Sequence, residues 1–212
     1  APFTVEKVQD MAEQALMEAD CYPQAKAYIL YRDVRRKKRE EREGLLAHFP
    51  DYPPLKETLL EIERDFPQDA YGLGVLTRKF LSLYKEDQPL SERAASLIRA
   101  AVELTDKEAA RWEMVAGRLF ACDFRYRLQM REEALGLRGY ADKLAYLDAQ
   151  GLLAPQMMKT YSTEELEEAA SFIRPERDNL LPHSGLELLT KRYVIHNRRH
   201  EALESVQEMY LS

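Results

Sequence analysis

The chain has 212 residues, of which 45% are hydrophobic and 32% are charged, and its formal net charge is -6. This length allows one large domain or two small ones with a sizeable core. The acidic excess argues against a general nucleic-acid binder, and no apolar run approaches the roughly 18 residues of a membrane span. Two cysteines are too few for a disulfide scaffold or a zinc cluster. We therefore expect a globular cytoplasmic protein with neither nucleic acid nor membrane as a partner.

The first predicted elements form an antiparallel helical hairpin. Thr4 suits the N-cap of a helix that stops near Cys21, and Pro23 suits the first turn of a second helix that runs into the charged segment 35–42. Three prolines and an aromatic pair in residues 48–54 are typical of an ordered linker. The first domain boundary is therefore predicted there.

Helical periodicity continues along most of the remaining chain. Helices are predicted at about 55–64, 73–84, 91–102, 107–133, 139–149, 155–159 and 162–172, and from about 185. The pair 91–102 and 107–133 repeats the N-terminal hairpin weakly at a shift of ninety residues. Stacked hairpins would let each bury a face that neither can bury alone. The predicted fold class is mainly α, as stacked helical hairpins or an orthogonal helical bundle.

One departure from helix is predicted near the C-terminus. Tyr193-Val194-Ile195 is β-prone, residues 197–200 form a polar turn, and Ala202-Leu203-Glu204 returns as a second strand. These residues predict one short β-hairpin. Helical character resumes from Ser205.

Side chains that could carry chemistry are sparse. The histidines lack metal-ligand spacing, there is no glycine-rich phosphate loop, and Cys21 and Cys122 are interpreted as packed thiols. The strip formed by Arg32, Arg35, Arg36 and Arg39 could meet a triphosphate. Composition alone instead favours a solvated helix end that nearby glutamates neutralise.

Part of the N-terminal hairpin resembles a known module. Residues 4–10 (TVEKVQD), 16–19 (LMEA) and 25–32 (AKAYILYR) are similar to the closing two helices of the ATP-cone, a nucleotide-binding regulatory module that precedes many ribonucleotide reductases. The module's opening portion, a short basic strand, has no counterpart in this sequence. The resemblance implies Gln9, Lys26, Arg32 and Arg35 as nucleotide-binding candidates, with weak or absent ATP and dATP binding by this chain.

The C-terminal third carries a second resemblance. Residues 161–166 (YSTEEL), 176–178 (ERD), 192–195 (RYVI) and 204–210 (ESVQEMY) resemble the N-terminal helical domain of class I reductase large subunits, which leads into a ten-stranded barrel. The resemblance implies three segments: an ATP-cone hairpin at 1–47, a linker with connecting helices at 48–90, and a helical domain at 91–212 that stops before the barrel.

The family implies a parent enzyme that reduces ribonucleotides to deoxyribonucleotides for DNA synthesis. It implies a thioredoxin-type electron donor, a radical-generating small subunit, contact with the catalytic barrel, a homo-oligomer, and ATP or dATP as allosteric effectors. The chain itself is expected to be inactive, with no catalytic residue, metal or cofactor of its own. Diphosphate and triphosphate substrates stay open, as does an adenosylcobalamin-dependent subclass. The alternatives are a free-standing helical nucleotide sensor and a protein-interaction module of helical hairpins.

Overall fold

The computed structural model describes residues 4–154 and 157–211, and the chain divides after His48 into two compact units. The described residues confirm a mainly α fold. The first unit holds helices α1 (Val5–Glu18) and α2 (Tyr22–Leu46). The second holds α3 (Pro54–Asp65), α4 (Leu73–Leu83), α5 (Leu90–Glu103), α6 (Trp112–Leu135), α7 (Tyr140–Ala149), α8 (Met157–Thr160), α9 (Thr163–Ala170) and α10 (His183–Arg192). Short 3-10 helices occupy Asp69–Tyr71, Pro175–Leu180 and Glu208–Tyr210.

Local sequence signals define the predicted N-terminal hairpin. The Thr4 hydroxyl accepts a hydrogen bond from the Lys7 amide and caps α1. Asp20 has a φ of 55°, a left-handed conformation that turns the chain sharply between the helices. The Tyr22 hydroxyl donates to the Asp20 carboxylate at 2.9 Å, and Pro23 lies in the first turn of α2. The turn therefore returns α2 along α1.

The first core of the second unit lies among α3, α4, α5 and α6. The pair α5 and α6 is the second predicted hairpin, and α3 also contacts α6. Trp112, which is only 1% exposed, begins α6 and places its ring 5.7 Å from that of Tyr71. Apolar residues of all four helices are buried with it: Leu55, Leu59, Ile62, Leu73, Leu76, Phe80, Leu97, Val115 and Leu119.

A close backbone approach joins α6 to the start of α10. A Cβ atom added at Gly117 would lie 2.6 Å from the Leu181 carbonyl oxygen and 3.0 Å from the His183 nitrogen. Glycine is therefore required by space at this position. Beyond the contact, Ala121, Phe124 and Leu128 of α6 pack with Leu186 and the segment 194–206.

Another core gathers α7, α9 and the C-terminal segment. Tyr140, Leu144 and Leu147 pack with Leu166 and Leu203. The Ser162 hydroxyl accepts from the Glu165 amide and the Glu165 carboxylate accepts from the Ser162 amide, which confirms the capping-box signal.

A buried ion cluster ties the C-terminal segment to α7. Lys143 is 4% exposed and donates to both carboxylate oxygens of Glu208, at 2.6 and 2.7 Å. It also pairs with Glu132 at the end of α6. The Glu208 carboxylate further accepts from the Ser205 amide at 2.6 Å. The charges of Lys143 and Glu208 are therefore compensated where water is largely excluded.

The predicted β-hairpin is wrong. Among the described residues there is one isolated antiparallel bridge, between His196 and Ala202, and no strand. The Ile195 amide, which a longer ladder would need, donates to the buried Glu204 carboxylate at 2.7 Å. The turn is instead organised by Asn197, whose side-chain oxygen accepts from the Arg199 and Glu201 amides. Two backbone hydrogen bonds remain, from the Asn197 amide to the Glu201 carbonyl at 3.0 Å and from the Leu203 amide to the Ile195 carbonyl at 2.8 Å. The side-chain acceptor of Ile195 prevents a longer ladder.

Several predicted boundaries also move. The helix expected from residue 107 begins at Trp112, because the Asp106 carboxylate accepts from the Glu108 and Ala109 amides and forms a turn there. The helical pattern after Ser205 yields only the short Glu208–Tyr210 3-10 helix. The short helix predicted at 155–159 lies partly outside the described residues, which show α8. Every helix among the described residues is too short or too polar to span a membrane.

Candidate functional site in the N-terminal hairpin

Arg32 links the two helices of the hairpin through ion pairs. Its guanidinium donates from two nitrogens to Asp10 Oδ1, each at 3.1 Å, and also pairs with Glu13. Asp10 and Glu13 lie three residues apart on α1, a spacing that places them on the same face of the helix. The Glu13 hydrogen bond is the largest cause that raises the pKa of Arg32, so its positive charge is stabilised. A phosphate at this position would compete with two carboxylates for the same guanidinium.

Arg35 is placed differently. It is exposed on α2, where it donates to the Tyr31 hydroxyl at 2.6 Å and lies over the Tyr31 ring, 5.5 Å from the ring centroid. The described residues supply no carboxylate contact to it. Arg35 is therefore held in position by an aromatic neighbour while its charge stays available to an anion.

The other two candidates occupy separate places on the hairpin. Gln9 is half-buried on α1, four residues before Glu13 and so on the same helical face. Lys26 is exposed on α2 and points about 120° around the helix from Arg32, because six residues separate them. Within residues 4–154 and 157–211, neither side chain has a hydrogen bond or an ion pair. The helical geometry thus does not place all four candidates on one face.

The remaining basic residues of α2 are partly neutralised. Arg36 pairs with Asp33 at 2.7 Å and with Glu40 at 3.9 Å. Lys37 and Arg39 are exposed. The sequence-based reasoning missed Asp10, Glu13 and Tyr31 as partners of the candidates. The spacing of Asp10 and Glu13 on α1 was the available signal, because two acids one turn apart can meet a cation on an antiparallel neighbour.

The chain offers little catalytic chemistry in the part that the structure describes. No group of three or more histidine, cysteine, aspartate or glutamate side chains could hold a metal ion there. Cys122 is buried, and burial raises the pKa of its thiol, which disfavours the nucleophilic thiolate. Cys21 is half-buried at the start of α2.

Comparison with known proteins places this hairpin in a family. Residues 2–37 match the family described as ATP cone domain. Over 210 residues, 99% of this chain, the sequence is 41% identical to ribonucleoside-diphosphate reductase subunit alpha of Treponema pallidum. The same subunit of two Helicobacter pylori strains is 26% identical over 132 residues, 61% of this chain.

Residues 2–37 are an ATP-cone segment. The whole chain is homologous to the N-terminal part of a ribonucleoside-diphosphate reductase alpha subunit, which confirms the resemblance read from the sequence. The alignments span 25% of the Treponema protein and 16% of the Helicobacter proteins. Within this segment, Arg32 joins α2 to α1 through its ion pairs with Asp10 and Glu13. Arg35 lies one turn further along α2.

Proposed function

We propose that this chain is the N-terminal regulatory segment of a ribonucleoside-diphosphate reductase alpha subunit. The observation that carries the proposal is the 41% identity to the Treponema subunit over 99% of the chain. The parent enzyme would reduce ribonucleoside diphosphates to deoxyribonucleotides, while this segment would contribute no catalytic group. Residues 1–47 would supply the effector-binding hairpin, residues 48–90 the connection, and residues 91–212 the helical domain next to the catalytic barrel.

The effectors of the parent would be ATP and dATP, bound through the ATP-cone segment. The four candidates differ in whether a described carboxylate already engages them, and we propose different roles for them accordingly. Lys26 and Arg35 carry charges that no described carboxylate engages, so they are the side chains that we propose for the phosphates. Gln9 can hydrogen-bond a base or a ribose. Arg32 would act on binding indirectly, because its bonds to Asp10 and Glu13 hold the two helices together.

The parent enzyme would act in the cytoplasm as a homo-oligomer, with a radical-generating small subunit and a thioredoxin-type electron donor. Sequencing the gene beyond the codon for Ser212 tests the proposed parent enzyme. We expect barrel cysteines and a C-terminal cysteine pair, and a frame that continues without them would contradict the reductase assignment.

Nucleotide titration of the 212-residue chain tests the regulatory part. We expect ATP and dATP to bind more weakly than about 1 µM, measured by calorimetry and by NMR shifts of the α1 and α2 amides. Any residual binding should weaken when Arg35 or Lys26 is changed to glutamine. Lys37→Gln is the matched control, because Lys37 is an exposed α2 cation outside both the four candidates and the arginine strip.

The strength of binding separates the competing functions. Submicromolar affinity for one ATP or dATP per chain would contradict our expectation and favour a free-standing nucleotide sensor. Residual binding that Lys37→Gln weakens as much as Arg35→Gln would contradict the proposed phosphate contacts. If neither nucleotide shifts any amide and the downstream reading frame also lacks the cysteines, the protein-interaction module is the better description.

A further inference from the structure

A groove in the second unit has no part in the proposed function. It has a volume of about 370 Å³ and lies between α5, α6 and α10. Its walls include Ala95, Ile98 and Val102 from one face of α5 and Phe120 from α6. This volume is at the lower end of small-molecule sites, which are typically about 300 to 1,000 Å³ and mostly apolar.

Two aromatic rings form one end of the groove. The imidazole of His183 meets the ring of Phe120 edge to face, with centroids 5.3 Å apart and planes at 89°. Gly117 permits this arrangement, since any larger residue would push the start of α10 away from α6. The Glu113 carboxylate also accepts from the Ser184 amide at 2.9 Å and holds the same junction. The aromatic corner is therefore rigid and suits a flat ring.

The polar lining of the groove includes two carboxylates and two arginines, and each arginine is already paired with a carboxylate. Asp123 is 8% exposed and gives one carboxylate oxygen to Arg127 Nε at 2.8 Å, which leaves its second oxygen for another donor. Glu187 from α10 likewise receives Lys191 on one oxygen, at 2.7 Å. Arg99, the other cation of the lining, is already paired with Glu103 at 2.7 Å. Burial raises the pKa of Asp123, so an added donor would relieve an unfavourable environment for its charge.

We propose that this groove binds a small aromatic molecule that carries an amine or amidine group. The ring would lie between the α5 face and Phe120, and the cationic group would donate to Asp123 and Glu187. A charged donor suits two carboxylates that each have an oxygen without a cation. An aromatic carboxylate of the same size would instead meet those oxygens with a like charge.

Titration of the 212-residue chain with tryptamine, followed by amide NMR shifts, tests the proposal. We expect saturable shifts at residues of α5, α6 and α10 around the groove. Indole-3-acetate keeps the ring and reverses the charge, and propylamine keeps the amine without the ring. Each should bind at least about tenfold more weakly than tryptamine.

Two variants locate the site. Ala95→Trp fills the groove from its exposed rim and should abolish the shifts, whereas Ala134→Trp places the same side chain on an exposed α6 position outside the groove and should not. Asp123→Asn should weaken tryptamine at least about fivefold with the fold retained by circular dichroism. If Asp123→Asn does not fold, the Ala95→Trp comparison decides alone. Absent saturation, equal binding of indole-3-acetate, or tryptamine binding that survives Ala95→Trp would overturn the proposal.

Discussion

The two units of the chain are stabilised in different ways. Among residues 4–48 only Ala25 and Leu45 are buried, and large apolar side chains such as Val5, Met11, Leu30 and Val34 are more than half exposed. The second unit buries apolar residues from most of its helices, with Trp112 and Phe80 almost completely enclosed. Since burial of apolar surface is the main favourable contribution to folding, local capping and ion pairs matter more in the hairpin than in the second unit.

The largest expected effect comes from truncating the second unit's core. Trp112→Ala should lower the free energy of unfolding by about 4 kcal/mol, because it leaves a cavity beside Tyr71. Leu30→Ala in the hairpin should change it by less than about 0.5 kcal/mol, since Leu30 is 56% exposed. Urea denaturation of both variants measures the difference. Similar losses would contradict the contrast between the units.

The buried ion cluster should respond almost as strongly. Lys143→Met leaves the Glu208 and Glu132 carboxylates without their shared cation and should cost about 3 kcal/mol. Lys191→Met is the matched control, because it removes an exposed pair with Glu187 and should cost less than about 0.5 kcal/mol. Thermal and urea unfolding would compare the two variants, and equal stability losses would refute the buried role.

A pH experiment isolates one surface cluster of the second unit. Hydrogen bonds from Arg64 and then Arg118 lower the pKa of Asp65 to about 2 from its ordinary 3.8. A lowered pKa means that the stabilisation is present above about pH 4 and is lost as the pH falls towards 2. Asp65→Asn should therefore be less stable than the wild type at pH 7, by about 1 kcal/mol after solvent screening. Urea unfolding at several pH values should show this gap closing near pH 2, and a gap that persists there would count against the assignment.

The capping box of α9 should contribute about as much as a single helix cap. Ser162→Ala removes the hydroxyl that accepts from the Glu165 amide and should cost about 1 kcal/mol. Ser162→Thr keeps the oxygen and should lose markedly less. Unfolding curves of the two variants measure this, and indistinguishable losses would show that the cap does not stabilise the helix.

The smallest expected effect on overall stability, and the most local one, comes from removing the ion pairs of Arg32. Arg32→Gln should accelerate proteolysis within α1 and α2, because it breaks the bonds to Asp10 and Glu13. The main unfolding transition, which reports the second unit, should stay where it is. Arg39→Gln controls for loss of charge on α2. Unchanged proteolysis of Arg32→Gln would show that these ion pairs do not stabilise the hairpin.

Much of the helical architecture could be predicted because its signals are local. Caps such as Thr4 and Ser162, proline at the start of α2, and helical periodicity act within a few residues. The β-hairpin prediction failed for a non-local reason. Tyr193 to Ile195 has β-propensity, but the Ile195 amide bonds to Glu204, and the Asn197 side chain organises the turn. Propensity does not register such competing side-chain acceptors.

The candidate site likewise combines features that the sequence predicts with contacts that it does not. The basic residues of α2 could be selected from the sequence, but their contacts could not. Arg32 and Arg35 are three residues apart with the same chemistry, yet one is held by two carboxylates of α1 and the other by a tyrosine of its own helix. The packing of α1 against α2 makes that distinction.

The sequence by itself determined the mainly helical class, the turn between α1 and α2, the caps, and the kinship with reductase alpha subunits, because each depends on neighbouring residues or on similarity along the chain. Only the tertiary structure decided which charges are engaged, that Lys143 is buried between two glutamates, and that Gly117 brings α10 against α6 beside the groove. Those features join residues about ten to seventy positions apart, and their energies depend on burial and distance, which spacing along a chain does not specify.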